Sequence, residues 1–337
     1  MAKTMRVIQY GLGPIGSATA RYVNRRDNME LVAGVDVDRD KIGKDVGEVA
    51  GLGLPLGFPV VGALSELHDR VGADVAIHTT SSYFDLFKSQ ILELGEAGLN
   101  VVSTAEELSF PWLANPEHAR EIDSQARAHG VTVLGTGVNP GFIMDLLPLG
   151  LTAICQQVDH IDIRRIINAS NRRASFQRKI GSAMTVEEFR SKMSEGKMGH
   201  VGLPESVGMI FQASGKELSH YEINVEPVVA TSFVETEHFK IEEGRVRGLR
   251  QVARGYSRQG EFVSLTFVAA LEEEGEGDTI KITGTPTITA KLEGTNGDLA
   301  TAAIAVNAIG RVVESPPGLV TMYDLPVVTA GSAMIES

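Results

Sequence analysis

The most constraining feature of the chain is Arg6-Val-Ile-Gln-Tyr-Gly-Leu-Gly-Pro-Ile-Gly16, an apolar run ending in three spaced glycines, after which Ser17 to Arg25 continues at helical spacing. The pattern is strand, glycine turn, helix. In such a turn Gly11 permits the sharp reversal, Gly13 lets a pyrophosphate approach the backbone, and Gly16 lets the helix pack on the strand. The helix start at Pro14 and Ile15 turns its free amides toward the anion. A second strand, Leu31 to Val37, follows, and Asp36 lies about 20 residues beyond the last glycine, the spacing of a ribose-binding acid. A glycine-rich turn of some other α/β protein, the alternative, requires none of this context. The stretch therefore reads as a dinucleotide site. Asp36 suits the ribose 2′-hydroxyl of NAD, whereas Arg39 and Lys41 suit the 2′-phosphate of NADP, so the cofactor is NAD(H) or NADP(H).

At 337 residues, 43% hydrophobic and 22% charged, the chain is long enough for about two globular domains. A net charge of −12 argues against nucleic acid or an anionic membrane as partner, since either needs a basic face. Small molecules are the expected ligands. Met1 to Arg6 runs straight into the first strand, and no apolar run approaches the ~20 residues that span a bilayer, so a cytoplasmic protein is expected. The single cysteine, Cys155, excludes an internal disulfide; it lies in the apolar, helix-like stretch Phe142 to Gln157 and reads as a core thiol.

Strand-like and helix-like segments alternate to about residue 135, the signature of a Rossmann, doubly wound parallel sheet, and define a first domain over 1–140. Ligands of such sheets sit beyond the carboxyl ends of the strands. Three segments reach that edge. After Val75 to His78 come Thr79, Thr80, Ser81 and Ser82, which either contact the dinucleotide or cap the helix expected over Asp85 to Ala97. After Asn100 to Val102 comes Ser103-Thr-Ala-Glu-Glu-Leu108; neighbouring residues diverge, so only one of Glu106 and Glu107 faces the crevice, unless both decorate a surface loop. After Val131 to Leu134 comes Gly135-Thr-Gly-Val-Asn-Pro-Gly-Phe142, where Asn139 either offers its amide to a nicotinamide or substrate group or initiates a turn before Pro140.

From His160 the pattern changes to alternating strands, including Tyr221 to Val229 and Thr279 to Lys291, with helices near Thr185 to Ser194 and Leu203 to Ser214. A second α+β domain with a mixed or mostly antiparallel sheet is expected over 141–297. Asn168 to Gly181 carries Arg172, Arg173, Arg178 and Lys179 in an otherwise acidic chain, either as a loop that closes over a ligand or as a solvated one. His200 precedes a helix. No His-x-x-x-His or Cys/His cluster occurs, so no metal site is expected. The last apolar helix, Asp298 to Val313, is expected to return to the first domain, which 298–337 completes, and to carry Thr301 and Asn307 toward the cleft.

Together, GLGPIG, STAEELSFPW, GTGVNPGF, NRRASFQRKIG, GHVGLPES and VNAIGRVVESPPGLVTMYDLP resemble native amine dehydrogenases and the related 2,4-diaminopentanoate dehydrogenases. The resemblance spans nearly the whole chain. It implies dihydrodipicolinate reductase-like architecture, a homodimer formed through the second domain, and NAD(P)-dependent reductive amination of a small ketone or aldehyde with ammonia, or the reverse. It also implies that Glu106, the first acid of the motif, holds the amine or ammonia. Phe142, Met144, Phe176, His200 and Thr301 are the expected substrate-pocket residues. The paired-His segment of dihydrodipicolinate reductases is absent, and Ala105-Glu-Glu107 stands where sugar dehydrogenases carry Glu-Lys-Pro. A dinucleotide-binding redox sensor without turnover is the alternative of another class.

Overall fold

A computed structural model describes residues 4–67, 72–196 and 198–331. The first three residues of the Met1 to Arg6 run, and the end of the completing segment, 332–337, lie outside them. The strands are β1 (Met5–Tyr10), β2 (Met29–Val35), β3 (Val60–Val61), β4 (Val75–His78), β5 (Asn100–Ser103), β6 (Thr132–Gly135), β7 (Gln157–Asn168), β8 (His220–Val229), β9 (Val234–Glu235), β10 (Lys240–Ile241), β11 (Val246–Ser257), β12 (Gly260–Ala270), β13 (Gly277–Thr285), β14 (Ile288–Leu292) and β15 (Gly318–Val320). The helices are α1 (Pro14–Asn24), α2 (Val46–Ala50), α3 (Phe84–Glu96), α4 (Pro116–His129), α5 (Leu146–Thr152), α6 (Ala174–Lys179), α7 (Val186–Ser194), α8 (Leu203–Ala213) and α9 (Gly297–Glu314). Two compact units result, Met1–Phe142 with Asn296–Ser337, and Ile143–Thr295.

The first unit holds a seven-stranded sheet in the order β15-β6-β5-β4-β1-β2-β3, with every pair parallel. Most of its buried strand positions are apolar because helices cover both faces, with Gln9, His78, Ser103 and Thr132 as polar exceptions. On one face Phe84, Phe87, Ile91 and Leu94 of α3 and Ala119, Ile122 and Ala126 of α4 pack with Ile8, Ala76, Val101 and Val133 from the strands. On the other, α9 packs against α1 and lies over β4, β5 and β6. The chain order reverses between β1 and β4, and the crevice of such sheets lies at that switch point. The expected strand at Leu31 to Val37 ends two residues earlier, which leaves Asp36 on the loop just beyond it.

The second unit holds a six-stranded sheet, β14-β13-β7-β12-β11-β8, in which only β7 and β12 pair in parallel. This is the mixed sheet expected. Val207 and Phe211 of α8 come so close to Gly255 of β11 that a Cβ there would meet them at 2.8 and 2.6 Å. A bidentate ion pair, Arg165 Nη1 to both oxygens of Asp278 at 2.8 Å, is buried where β7 and β13 pair. Three expectations change here. Thr279 to Lys291 is not one strand but the hairpin β13–β14, because Pro286 has no N–H to continue the ladder. Asn168 to Gly181 is not a loop throughout: α6 forms within it, and buried Gln177 donates to the carbonyls of Ser170 (3.0 Å) and Arg172 (2.8 Å). Cys155 is not a core thiol; α5 stops at Thr152, and the half-buried Sγ lies 3.6 Å from the Pro286 carbonyl.

Candidate active site

The glycine turn is held from beneath. Gln9 is buried in β1, and its side-chain amide donates to the Gly11 carbonyl (2.8 Å) and to Thr79 Oγ1 (3.0 Å), while its oxygen accepts from Thr19 of α1 (2.7 Å). Thr79 Oγ1 in turn donates to the Gly11 carbonyl at 2.9 Å. The end of β1, the end of β4 and the start of α1 are thus tied into one network. The approach leaves no room for side chains: a Cβ on Gly11 would lie 2.7 Å from the Thr79 carbonyl, and one on Gly16 would lie 2.0 Å from that of Gly11. Gly13 is different, since a Cβ there would meet nothing within 4 Å. That open surface, with the first-turn amides of α1 after Pro14 and Ile15 beside it, fits a pyrophosphate.

Asp36 also fits its expected partner. Its Oδ2 accepts from the Leu12 amide (2.7 Å) and Lys41 Nζ (3.0 Å), and its Oδ1 from the Asp38 amide (2.9 Å). A carboxylate has about four acceptor positions, so one remains for a ribose hydroxyl. Lys41 also approaches Asp38 at 3.4 Å, and Arg39 is exposed alongside.

At the end of β5 the two acids do not alternate as on a strand; Glu106–Leu108 is a single 3₁₀ turn. Their roles are separated by partners. The Glu107 carboxylate reaches the N-terminus of α3 and accepts the Phe84 amide at 2.7 Å, a capping bond that satisfies a helix donor and complements the helix dipole. Glu106 stays half-buried at the edge, its carbonyl accepting from the Ser109 hydroxyl (2.8 Å) and amide (3.2 Å). Tyr83, just before α3, has its phenol pushed up by burial and then by the charges of Glu106 and Glu107. The turn lies directly on β6, where a Cβ on Gly135 would come 2.3 Å from the Leu108 backbone.

The remaining candidates fall in place as follows. Thr80 is exposed and its hydroxyl donates to Gln90 (2.7 Å), and Ser81 accepts from the Tyr83 amide (3.3 Å), so both make local bonds. Asn139 is buried in the turn after β6, where the Val138 amide donates to Thr301 of α9 at 3.3 Å. Asn307 does not head for the cleft: its side-chain oxygen accepts from Tyr22 (3.2 Å) and Arg26 on the α1 side. Phe142 closes the first unit. In the second, Met144 is fully enclosed, Phe176 carries the Arg172 guanidinium 4.8 Å above its ring, and His200 stacks on Phe267 at 4.4 Å. Among the described residues no group of three or more His, Cys, Asp or Glu is placed to hold a metal ion, and no helix is long and apolar enough to cross a membrane.

Gln9, Tyr83 and the capping role of Glu107 were not legible as site features. A glutamine two residues before the first glycine, in a strand whose other buried residues, Val7, Ile8 and Tyr10, are hydrophobic, is the one signal that pointed to a network. Burial raises the Glu107 carboxyl above its ordinary 4.5, against the lowering effect of the Phe84 amide. A raised carboxyl favours folding in its neutral form, so that contribution is present below pH 4.5 and is lost as pH rises through the folded value. The Glu107→Gln variant keeps an acceptor and never ionises. Its stability relative to wild type should therefore increase between pH 4 and pH 7, as measured by urea unfolding across that range.

Residues 5–104 match the dihydrodipicolinate reductase N-terminus family, and residues 142–337 match the 2,4-diaminopentanoate dehydrogenase C-terminal domain. A 2,4-diaminopentanoate dehydrogenase from Acetoanaerobium sticklandii is 34% identical over 334 residues, covering 96% of this chain and 94% of that protein. In fold, the chain is similar to an amine dehydrogenase from Mycobacterium smegmatis, with a TM-score of 0.87 and 23% identity over 97% of this chain and 98% of that one. It is also similar to myo-inositol dehydrogenase from Lactobacillus casei, solved with NAD(H) and myo-inositol, at a TM-score of 0.60 and 14% identity over 95% and 91% of the two chains. With a parallel dinucleotide-binding sheet, a mixed second sheet and these matches along its length, the chain belongs to the 2,4-diaminopentanoate dehydrogenase family, and with it to the dinucleotide-dependent amine dehydrogenases.

Proposed function

We propose that this protein catalyses the reductive amination of a small ketone or aldehyde with ammonia and NAD(P)H, and the reverse oxidative deamination, with Glu106 acting on the nitrogen. The observation that carries this reading is the placement of the two acids in the 3₁₀ turn: Glu107 caps α3 through the Phe84 amide, and Glu106 lies half-buried directly after β5, at the ligand edge of the sheet. When bound, the nicotinamide supplies or accepts the hydride. As a carboxylate, Glu106 takes a proton from ammonium to leave nucleophilic ammonia, which adds to the carbonyl carbon. Glu106 returns that proton to the hydroxyl of the adduct, which leaves as water, and the restored carboxylate holds the resulting iminium cation in place by its charge. Reduction of the iminium carbon gives the neutral amine, which takes a proton from solvent as it leaves. A substrate resembling 2,4-diaminopentanoate, named in the 34% identical relative, is the first to try, alongside a screen of carbonyls with ammonia.

For the cofactor, the single remaining acceptor position of Asp36 supports NAD(H), and Lys41 and Arg39 beside it support some use of NADP(H). The second unit supports a homodimer: its edge strand β8 pairs with β11 alone among the described strands and leaves Tyr221, Ile223 and Val229 exposed.

Three outcomes test this reading. Glu106→Gln keeps size and hydrogen bonding but removes the charge, so kcat for ammonia-dependent NAD(P)H oxidation should fall on the order of 10² to 10⁴ while cofactor affinity changes little. Near-normal turnover would reject the assignment. Asp36→Ala should raise the NADPH-over-NADH ratio of kcat/KM on the order of tenfold, the equivalent of one hydrogen bond to a charged group; an unchanged ratio would remove Asp36 from the ribose. Sedimentation should give twice the 36.1 kDa chain mass, and a monomer at every concentration would refute the dimer.

A further inference from the structure

His78 is the polar exception in a strand that otherwise contributes only apolar side chains, and no role described so far uses it. Its ring is completely buried, 5.6 Å from the Tyr10 ring and 6.2 Å from that of Phe87. An imidazole in such a place is costly unless both nitrogens are bonded, and both are. Nε2 lies 2.8 Å from Gln90 Oε1 and 2.9 Å from Thr80 Oγ1, and Nδ1 lies 2.9 Å from Ser103 Oγ. The directions of these bonds follow from the partners. Thr80 donates its proton to Gln90 Oε1 at 2.7 Å, so both groups facing Nε2 offer it lone pairs and Nε2 carries the hydrogen. Burial holds the ring pKa down to about 4, so at neutral pH the ring is uncharged and Nδ1 is a bare acceptor. Ser103 therefore donates its hydroxyl proton to Nδ1. Its oxygen is then oriented to accept the Ala105 amide at 3.1 Å.

Ala105 is the residue on which the Glu106 turn starts. Its side chain is 1% exposed, its carbonyl accepts the Leu108 amide at 3.1 Å, and the next carbonyl is held by Ser109. Upstream, the strands supply the rest: the Thr104 amide donates to the His78 carbonyl at 2.9 Å, and His78 and Ser103 are register partners in the β4–β5 ladder. We propose that His78 is a positioning residue for Glu106, fixing the start of the acid-bearing turn through the Ser103 hydroxyl and the Ala105 amide. The inference rests on the reading of Glu106 above. A catalytic group displaced by about 1 Å loses on the order of 10² in rate, so a relay that orients the turn without touching substrate has a measurable effect.

The test compares His78→Leu, Ser103→Ala and His78→Asn with wild type and Glu106→Gln, using the carbonyl that wild type reduces fastest with ammonia. His78→Leu and Ser103→Ala should lower kcat about 10- to 100-fold and leave NAD(P)H binding within about twofold, the pattern of misplaced chemistry rather than lost ground-state binding. In both, the Ala105 amide should exchange hydrogen faster than in wild type. His78→Asn places an amide oxygen near the Nδ1 position to accept the Ser103 proton, and should recover most of the rate. If His78→Leu does not accumulate folded, Ser103→Ala, which removes one oxygen, carries the same expectation. Wild-type kcat and Ala105 protection in a folded Ser103→Ala or His78→Leu variant would overturn the proposal, as would a rate loss that His78→Asn does not recover. An inactive Glu106→Gln beside a fully active Ser103→Ala would reject this relay alone, whereas an active Glu106→Gln would reject the relay together with the reading on which it rests.

Discussion

The first unit depends on backbone approaches too close for a side chain. At Gly11 and Gly16 the end of β1, the loop after β4 and the start of α1 are in contact through main-chain atoms, and at Gly135 the end of β6 meets the turn that follows β5. These contacts bring four strand ends to one edge, where the parallel sheet already concentrates its loops. Buried polar side chains then fix the geometry that glycine alone leaves soft. Gln9, Thr19 and Thr79 tie the glycine turn to the strands, and His78, Ser103 and Gln90 tie the acidic turn to α3 and β4. A buried network with every member bonded is rigid, because each broken bond leaves a polar group with no water to replace its partner.

The acidic pair shows how packing assigns chemistry to residues that look alike. In sequence, Glu106 and Glu107 are the same side chain in adjacent positions. In the fold, one carboxylate is drawn to a helix N-terminus, where an unsatisfied amide and the helix dipole favour it, and burial raises its pKa at the same time. The alternation of a strand would have separated the two acids by facing. A 3₁₀ turn separates them by partner instead.

Much of the architecture was legible because it follows from local periodicity. The parallel sheet and its covering helices, and the change to a mixed sheet in the second half, each left a pattern of apolar spacing. The errors came where one residue interrupts a period or a helix ends early. Pro286 divides an apparently continuous strand into a hairpin, and α5 stops before Cys155, which therefore leaves the core. Asn307 carries polar chemistry on an apolar helix, and only the packing of α9 on α1 shows that Tyr22 and Arg26 use it.

By itself, then, the sequence determined that this chain contains a strand–glycine turn–helix unit, a parallel sheet and a second mixed sheet, because glycine spacing and hydrophobic period are properties of neighbouring residues. It also limited the site to the segments after β1, β4, β5 and β6, since ligand loops of parallel sheets follow strand ends. Only the tertiary structure decided which groups remain available at that edge. That Lys41 and two amides occupy three positions on Asp36, that Phe84 takes Glu107, and that His78 reaches Ala105 through Ser103 are all contacts between residues distant in sequence or governed by backbone direction. Local spacing carries no record of them, because a hydrogen bond is set by where two atoms meet in space and by which of them holds the proton.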